Sequence, residues 1–528
     1  AAPNRTSAFV SAIIAVIATL AASLVGLRAL IGAEAVAGGA MLPLSTKASE
    51  IFANATSWWA DLGAGSPAGG DPIDYVYWLA ALAGGGNANA AAVMLTLLAM
   101  PLAALAAWLG LAAVTRSRAA RMVGALLWGL APALQVSLSS GRAGSVLVHV
   151  LAPLFLLALL RSVGAAIDFR TGRGNSPLPA SRPGTGMVPS WTAAAAAALL
   201  LVAITAGSPA VGLALVVLIV LAAIVLRSRA RTLWWVPLPA LVFHLPLVIA
   251  ALGNPRVLLT DPGLPLPFAP APLWAQGLGF PTAFDPLGTP AGFGFLPAGP
   301  WALVLALLVG APLLAFALTG LFAGGRNNSA SLARSLWLGG VLMLAAGYGA
   351  SLVPAAVAGN TFVAAFNGPF VSFFALALVF AAGLGISEIR DERRQGAPPA
   401  TGARTAATGT LAWASALLGI SVLVAGGNWI VAQLPAPAGV AAGTDLGTTS
   451  ALQAVSARTL PATAADRGLG PYEDRTLVLA QNGGGAVSAA LMNGAGTTAD
   501  ALSQPAAANR LIGNVPAPAL RESDDADR

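Results

Sequence analysis

The sequence predicts an all-α polytopic membrane protein of about eleven transmembrane helices, with a partial extracytoplasmic α/β or β domain at its C-terminus. Three observations predict it. Of the 528 residues 57% are hydrophobic and only 9% charged, at a mean hydropathy of +0.78, whereas soluble domains carry roughly 25% charged residues. Eleven apolar stretches approach the ~20 residues that cross a hydrocarbon core. The basic residues fall in alternate connections between these stretches, as the positive-inside rule requires.

The spans lie near Ala8 to Ile31, Ala90 to Val114, Met122 to Leu138, Gly144 to Val163, Trp191 to Ala206, Pro209 to Leu226, Leu233 to Leu252, Pro300 to Phe322, Leu336 to Ala358, Pro369 to Ile386 and Thr410 to Val431. With the N-terminus in the cytoplasm, 17 of the 27 basic residues are inside, counted from Arg5, the Arg116 to Arg121 cluster, Arg161 to Arg182, Arg227 to Arg231, Arg326 and Arg334, and Arg390 to Arg404. Arg28, Lys47, Arg142 and Arg256 fall outside, and six more arginines lie in the tail. Lys47 is the one lysine, which with the Ala, Gly and Pro richness suggests a high-GC bacterium and hence a bacterial plasma membrane. The C-terminus is then extracytoplasmic.

Residues 1–433 form the membrane region, with external loops at about 32–89 and 253–299, and 434–528 form the external domain. In the first loop Ile51, Phe52, Ala55, Trp58 and Trp59 recur at helical spacing, which places a helix in the headgroup layer. In the tail, Arg475 to Ala480, three glycines and Ala486 to Met492 predict strands. The chain begins without methionine and is expected to be a piece of a longer protein.

Composition also narrows the chemistry. With no cysteine and two distant histidines, thiolate chemistry and a zinc or haem site are disfavoured, and no metal or cofactor is expected in this segment. The net charge of +7 reflects membrane topology rather than nucleic-acid binding. No Asp, Glu or Lys lies inside a predicted span, which disfavours ion-coupled transport. There is neither a phosphate-cradling Gly-x-x-x-x-Gly-Lys nor a cytoplasmic Asp-x-Asp.

The candidate residues face outward. Arg142 is the only charge between Leu130 and Leu154, at a Ser139-Ser140-Gly141-Arg142 corner. A snorkelling arginine and an arginine aimed at a lipid-linked phosphate both fit this position. His149 is seven residues further, on the same helix face, and is a candidate for the same substrate or phosphate site; it and His244 also read as interhelical hydrogen-bond partners. Asp71 and Asp74 are three apart. Asp71 before Pro72 reads as an N-cap with Asp74 in the first helical turn, and the pair also fits a general base. Asp61 reads as solvent-exposed or as part of a substrate site. Asp261-Pro262 and Asp285-Pro286, with Arg256 and Trp274, read as turns or as a groove for a sugar or sugar phosphate.

The segment Ser140-Gly141-Arg142-Ala143-Gly144, with Val148-His149-Val150-Leu151-Ala152-Pro153, resembles the membrane region of large actinobacterial family-2-type glycosyltransferases. Trp59-Ala60-Asp61, Asp71-Pro72, Pro101-Leu102-Ala103, Ala107-Trp108, Trp128 to Pro132 and Arg475 to Leu479 extend the resemblance over nearly the whole chain. It implies cell-envelope polysaccharide or glycolipid assembly. It also implies a cytoplasmic GT-A catalytic domain, with any divalent metal it needs, outside these residues.

The acidic first loop more distantly resembles GT-C glycosyltransferases, which use polyprenyl-phosphate sugars. That resemblance makes Asp71 or Asp74 the base and Arg142 or Arg256 the phosphate partner. The expected partners are membrane lipids and a polyprenyl-phosphate or other lipid-linked sugar. A lipid or glycan translocator, or a scaffold without catalysis, is the remaining reading.

Overall fold

The computed structural model describes residues 5–60, 65–166, 189–283, 301–322, 329–358, 361–394, 403–433, 450–458, 460–472, 474–481, 487–494 and 496–512. Helix α1 (Arg5–Gly26) leads through strand β1 (Ala35–Ala37) to α2 (Ala48–Thr56), strands β2 (Trp59–Ala60) and β3 (Ser66–Pro67), and α3 (Ile73–Ala83). The bundle continues with α4 (Ala88–Gly110), α5 (Arg118–Gly129), α6 (Pro132–Ser139), α7 (Ala143–Ser162), α8 (Trp191–Gly207) and α9 (Pro209–Leu226). Then come α10 (Pro237–Phe243), α11 (Leu245–Gly253), α12 (Leu273–Gly277), α13 (Trp301–Phe322) and α14 (Ser329–Ser351). Hairpin β4 (Pro354–Ala358) and β5 (Thr361–Ala364) precedes α15 (Gly368–Arg394) and α16 (Ala403–Ala432). The rest comprises β6 (Gln453–Val455), α17 (Ala462–Gly468), β7 (Thr476–Gln481), β8 (Val487–Met492) and α18 (Gln504–Ile512).

Each predicted span coincides with helix over most of its described length. Among the described residues eight helical stretches are long and apolar enough to cross a membrane, or nine if the bent pair α10 and α11 is one span. Helix α8 and the apolar stretch Ala416–Ala432 of α16 are shorter. The predicted span Leu233 to Leu252 is not straight: α10 and α11 meet at 74° at His244. Pro246 in the first turn of α11 has no N–H to continue the helix across that point. The ninth span also ends earlier than predicted, at Ser351, and Pro354–Ala358 pairs as a strand with Thr361–Ala364.

Proline and glycine place the other breaks. Pro132 opens α6, so α5 and α6 share one span with a joint at Leu130 and Ala131. Gly141 turns the chain from α6 into α7 at φ 68°, and a side chain there would run into the carbonyl of Gly38. Of the candidate spans among the described residues, α15 is the most enclosed, almost wholly buried from Gly368 to Ile386. Its own Phe370, Phe374 and Phe380 are buried against the helices that surround it.

In the first loop the predicted helix stops at Thr56, and Trp59 begins a strand. Ile51 and Ala55 turn inward, while Phe52, Trp58 and Trp59 stay exposed. Strands β7 and β8 fall on the two tail stretches expected to be strands, and they pair antiparallel. Its other parts are woven into the first loop: β6 pairs antiparallel with β1, Ala451 N–H donates to Ser139, and Ala499 N–H donates to Pro43. The first loop, the Gly141 corner, the segment 254–283, β4–β5 and the tail therefore meet at one end of the bundle, tied further by Ala40 N–H to Ser140 and Leu264 N–H to Ala40.

Candidate functional site

Two buried polar centres occupy this end of the bundle. The first is built on Arg142, which the turn at Gly141 directs inward rather than to the rim. Arg142 is only 5% exposed. Its Nη2 donates to Leu266 O at 2.7 Å and Nη1 lies 3.7 Å from Asp261 Oδ2. The guanidinium lies 4.2 Å from the Phe366 ring centroid and 5.4 Å from that of Phe268. Asp261 Oδ2 also accepts the Phe366 N–H at 2.8 Å. Burial pushes the Asp261 carboxyl up to about 6, while Arg142 and that N–H pull it back. Burial likewise lowers the Arg142 value, opposed by Asp261.

Arg142 lines a cavity of about 130 Å³. Ile73, Val76, Tyr77 and Ala80 of α3 form one wall, Ala92, Leu95 and Ala99 of α4 a second, and Val146, Leu147 and Val150 of α7 a third. Arg142 is the only charged residue in the lining, and its Nε has no hydrogen-bond partner. Such a space accepts an apolar chain along its walls and an anion at its cationic corner.

The second centre is acidic. Asp71 is 2% exposed and Asp74 fully buried. Asp71 was expected to cap the helix that follows it, yet that helix has no side-chain cap. Asp71 Oδ1 instead accepts the Gln504 N–H at 2.7 Å, at the start of α18. The expectation failed because the competing donor comes from a segment more than 400 residues away. Asp74 does occupy the first turn of α3, with neither carboxylate oxygen hydrogen-bonded.

Asp500, which the sequence reading did not single out, completes this centre. Its carboxylate accepts from Ser45 N–H at 2.8 Å, Ser45 Oγ at 2.6 Å and Asn54 Nδ2 at 2.7 Å. Burial raises Asp71 from 3.8 to about 7 against the opposing Gln504 N–H. Asp74 rises well above the carboxylate range through burial first, then through Asp71 and Asp500. Tyr77 adjoins both centres: it lines the cavity, and its phenol is pushed up by burial and then by Asp74, Asp71 and Asp500.

The other candidates lie apart. His149 is buried away from the cavity, with Nδ1 2.8 Å from Ser372 Oγ, Nε2 3.1 Å from Trp128 O and its ring stacked on Trp128 at 3.8 Å. Those are the interhelical bonds expected of it. They leave its ring off the cavity wall that Val146 and Val150 form, so it does not share the Arg142 site as its helix face suggested. His244 sits at the bend, with Nδ1 2.8 Å from Ala240 O. Arg256 is exposed on the 3-10 turn Pro255–Leu259, and Trp274 is 47% exposed on α12. Asp61 and Asp285 lie outside the described residues. Among the described residues no group of three or more His, Cys, Asp or Glu is arranged to hold a metal.

No protein-family model matches the sequence, and no curated protein matches it. Among solved structures the chain is similar to the arabinofuranosyltransferase AftD from Mycobacteria, at 17% identity and a TM-score of 0.47, over 82% of this chain and 27% of that one. A mutant form of AftD gives 16% identity and 0.44 over 82% and 28%. The apo oligosaccharyltransferase of Archaeoglobus fulgidus gives 14% identity and 0.37 over 80% and 56%. The chain thus spans about a quarter of the length of AftD.

Proposed function

We propose that this chain is a membrane glycosyltransferase of GT-C type that draws its sugar from a polyprenyl-phosphate or similar lipid-linked donor at the extracytoplasmic face. The observation that carries this reading is the cavity: an apolar space between helices whose one charged lining residue is a buried arginine. A lipid phosphate satisfies both parts of it, with the chain against α4 and α7 and the phosphate on the free Nε side of Arg142.

In this reading Asp74 is the general base, because it is the acid whose oxygens are uncommitted. Asp71 holds α18 in place. A base positioned on an attacking hydroxyl contributes about 10²–10⁴-fold. Purified protein in vesicles, given radiolabelled polyprenyl-phosphate sugar and an oligosaccharide acceptor, tests it. Asp74→Asn should lose transfer by that factor while retaining the bound lipid, and Arg142→Met should lose the lipid. Unchanged transfer in Asp74→Asn removes Asp74 as base.

The closure of Asp71 and Asp74 away from solvent favours a second reading, in which this membrane region binds or passes the lipid-linked glycan while a cytoplasmic domain of family-2 type performs the transfer. In that case Arg142→Met loses the lipid and Asp74→Asn leaves sugar transfer intact.

A further inference from the structure

The segment from Thr498 to Ile512 covers the acidic centre. It is fastened to the first loop by Ala499 N–H on Pro43, by Asp500 on Ser45 and Asn54, by Ser503 Oγ on Gly69 O at 3.0 Å, and by Gln504 N–H on Asp71. It is fastened to the second loop by Gln504 Nε2 on Thr260 O at 3.0 Å and by Ala508, which packs on Leu247 and Val257. Ser503 caps α18 through Ala506 N–H, and the proline that follows Gln504 suits the first turn of a helix. The segment is thus a formed element docked across two loops. The segment closes on the acidic centre directly, with Gln504 N–H on Asp71 and the Asp500 carboxylate near enough to act on Asp74.

Among the described side chains the charges around this element do not balance. Asp71, Asp74 and Asp500 face one another, and no described cation is paired with any of them. Arg142 is held by Asp261, and Lys47 by Glu50 at 3.1 Å on the outer side of α2. Tyr75 and Tyr77 of α3 supply no positive charge, and Arg256 on the second loop is exposed. A carboxylate with no hydrogen-bond donor in a dry site is held there only as the neutral acid. Closing the segment therefore keeps protons on this centre.

We propose that residues 498–512 form a proton-linked latch, closed over Asp71 and Asp74 while they are protonated and released as they ionise. The latch controls access to these acids whatever reaction they serve, so it stands independently of the glycosyltransferase reading. The direction follows from linkage. A carboxyl whose value in the closed state is raised favours closure at low pH, and this advantage shrinks as pH rises until it levels off above the raised value. With Asp71 at about 7 when closed and 3.8 when solvated, the open population rises about 30-fold between about pH 5.5 and about pH 8 from this residue alone. Asp74 makes the rise steeper.

Because the chain has no cysteine, a single Ala508→Cys substitution reports on the latch: Ala508 lies on α18 and is fully buried against Leu247 and Val257. Its labelling by a membrane-impermeant maleimide is measured on the whole protein in vesicles. Each rate is divided by that of an exposed Ser456→Cys control at the same pH, which removes the thiol's own titration. The expected result is protection at about pH 5.5, with labelling rising by at least the factor above toward pH 8. The rise should flatten when Asp71→Asn and Asp74→Asn are added. Labelling that does not change with pH, or a rise that persists in the Asn variants, overturns the proposal.

If the double variant does not fold, Asp500→Asn decides. It replaces a carboxylate that binds three donors with an amide that has one acceptor oxygen, and should raise labelling at about pH 5.5. An unchanged rate there also overturns the latch.

Discussion

The pair Arg142 and Asp261 predicts an asymmetry between its two deletions. Removing one member of a buried ion pair costs about 3–5 kcal/mol when the remaining charge cannot be neutralised. Asp261→Ala strands Arg142, which is 5% exposed and cannot shed its proton at neutral pH. Its carbonyl contact with Leu266 and its place over Phe366 survive, so the expected loss is at the lower end, about 3 kcal/mol. Arg142→Met strands Asp261 instead, but this carboxyl already titrates at about 6 with the arginine present. Without Arg142 it rises further and takes a proton.

The cost of Arg142→Met is then that of one hydrogen bond and one ring contact, about 1–2 kcal/mol. It should shrink between about pH 7.5 and about pH 5.5, because the folded value lies above the unfolded one and protonation removes the stranded charge as pH falls. Thermal unfolding in detergent at a fixed scan rate, followed by tryptophan fluorescence at both pH values, reads the difference. Equal losses in the two variants, or an Arg142→Met loss that ignores pH, would refute the assignment of Asp261 as the group that adapts.

Other outcomes follow from single contacts. Gly144→Ala should destabilise the protein by about 2 kcal/mol or more, because a methyl there meets the Gly207 carbonyl and separates α7 from α8; a melting temperature unchanged by the substitution would show that the helices can part freely. His149→Phe should cost about 1–3 kcal/mol by leaving Ser372 and the Trp128 carbonyl unpaired, without altering the amount of copurified lipid. Leu147→Trp, which fills the cavity from α7, should abolish lipid copurification and leave the melting temperature within a few degrees of the parent.

Much of the helical architecture was legible because hydrophobic length is a local property. The Gly141 corner was legible as well, since a lone arginine between two apolar runs has few physical excuses. The partners were not. Asp71-Pro72 carries the local signature of a cap, and nothing in the first loop indicates that its acceptor oxygen is claimed by Gln504. Asp500 looked like one more acid in a polar tail; its importance lies in three donors from residues 45 and 54.

One signal was available: Ser503, Gln504 and the proline after them form a helix start, and a helix starting there needs its first N–H groups satisfied. The bend at His244 was written in Pro246, but the apolar content on both sides masked it. Arg142 pointed inward rather than to the rim because Leu266, Phe268 and Phe366, all distant in sequence, close over it.

The pairing of Ala35 with Val455 has a consequence for how the protein is made. At about 5–20 residues per second of synthesis, the 420 residues between them take roughly 20–80 s. During that interval the first loop exists while the strand partner of β1, the Gln504 N–H that binds Asp71 and the Asp500 acceptor for Ser45 do not. The nascent loop must wait with the carboxylates of Asp71 and Asp74 hydrated. Quality-control proteases at the membrane surface would meet it in that state, so substitutions in the last segment should reveal themselves first as cleavage within residues 35–74, far from the altered codon.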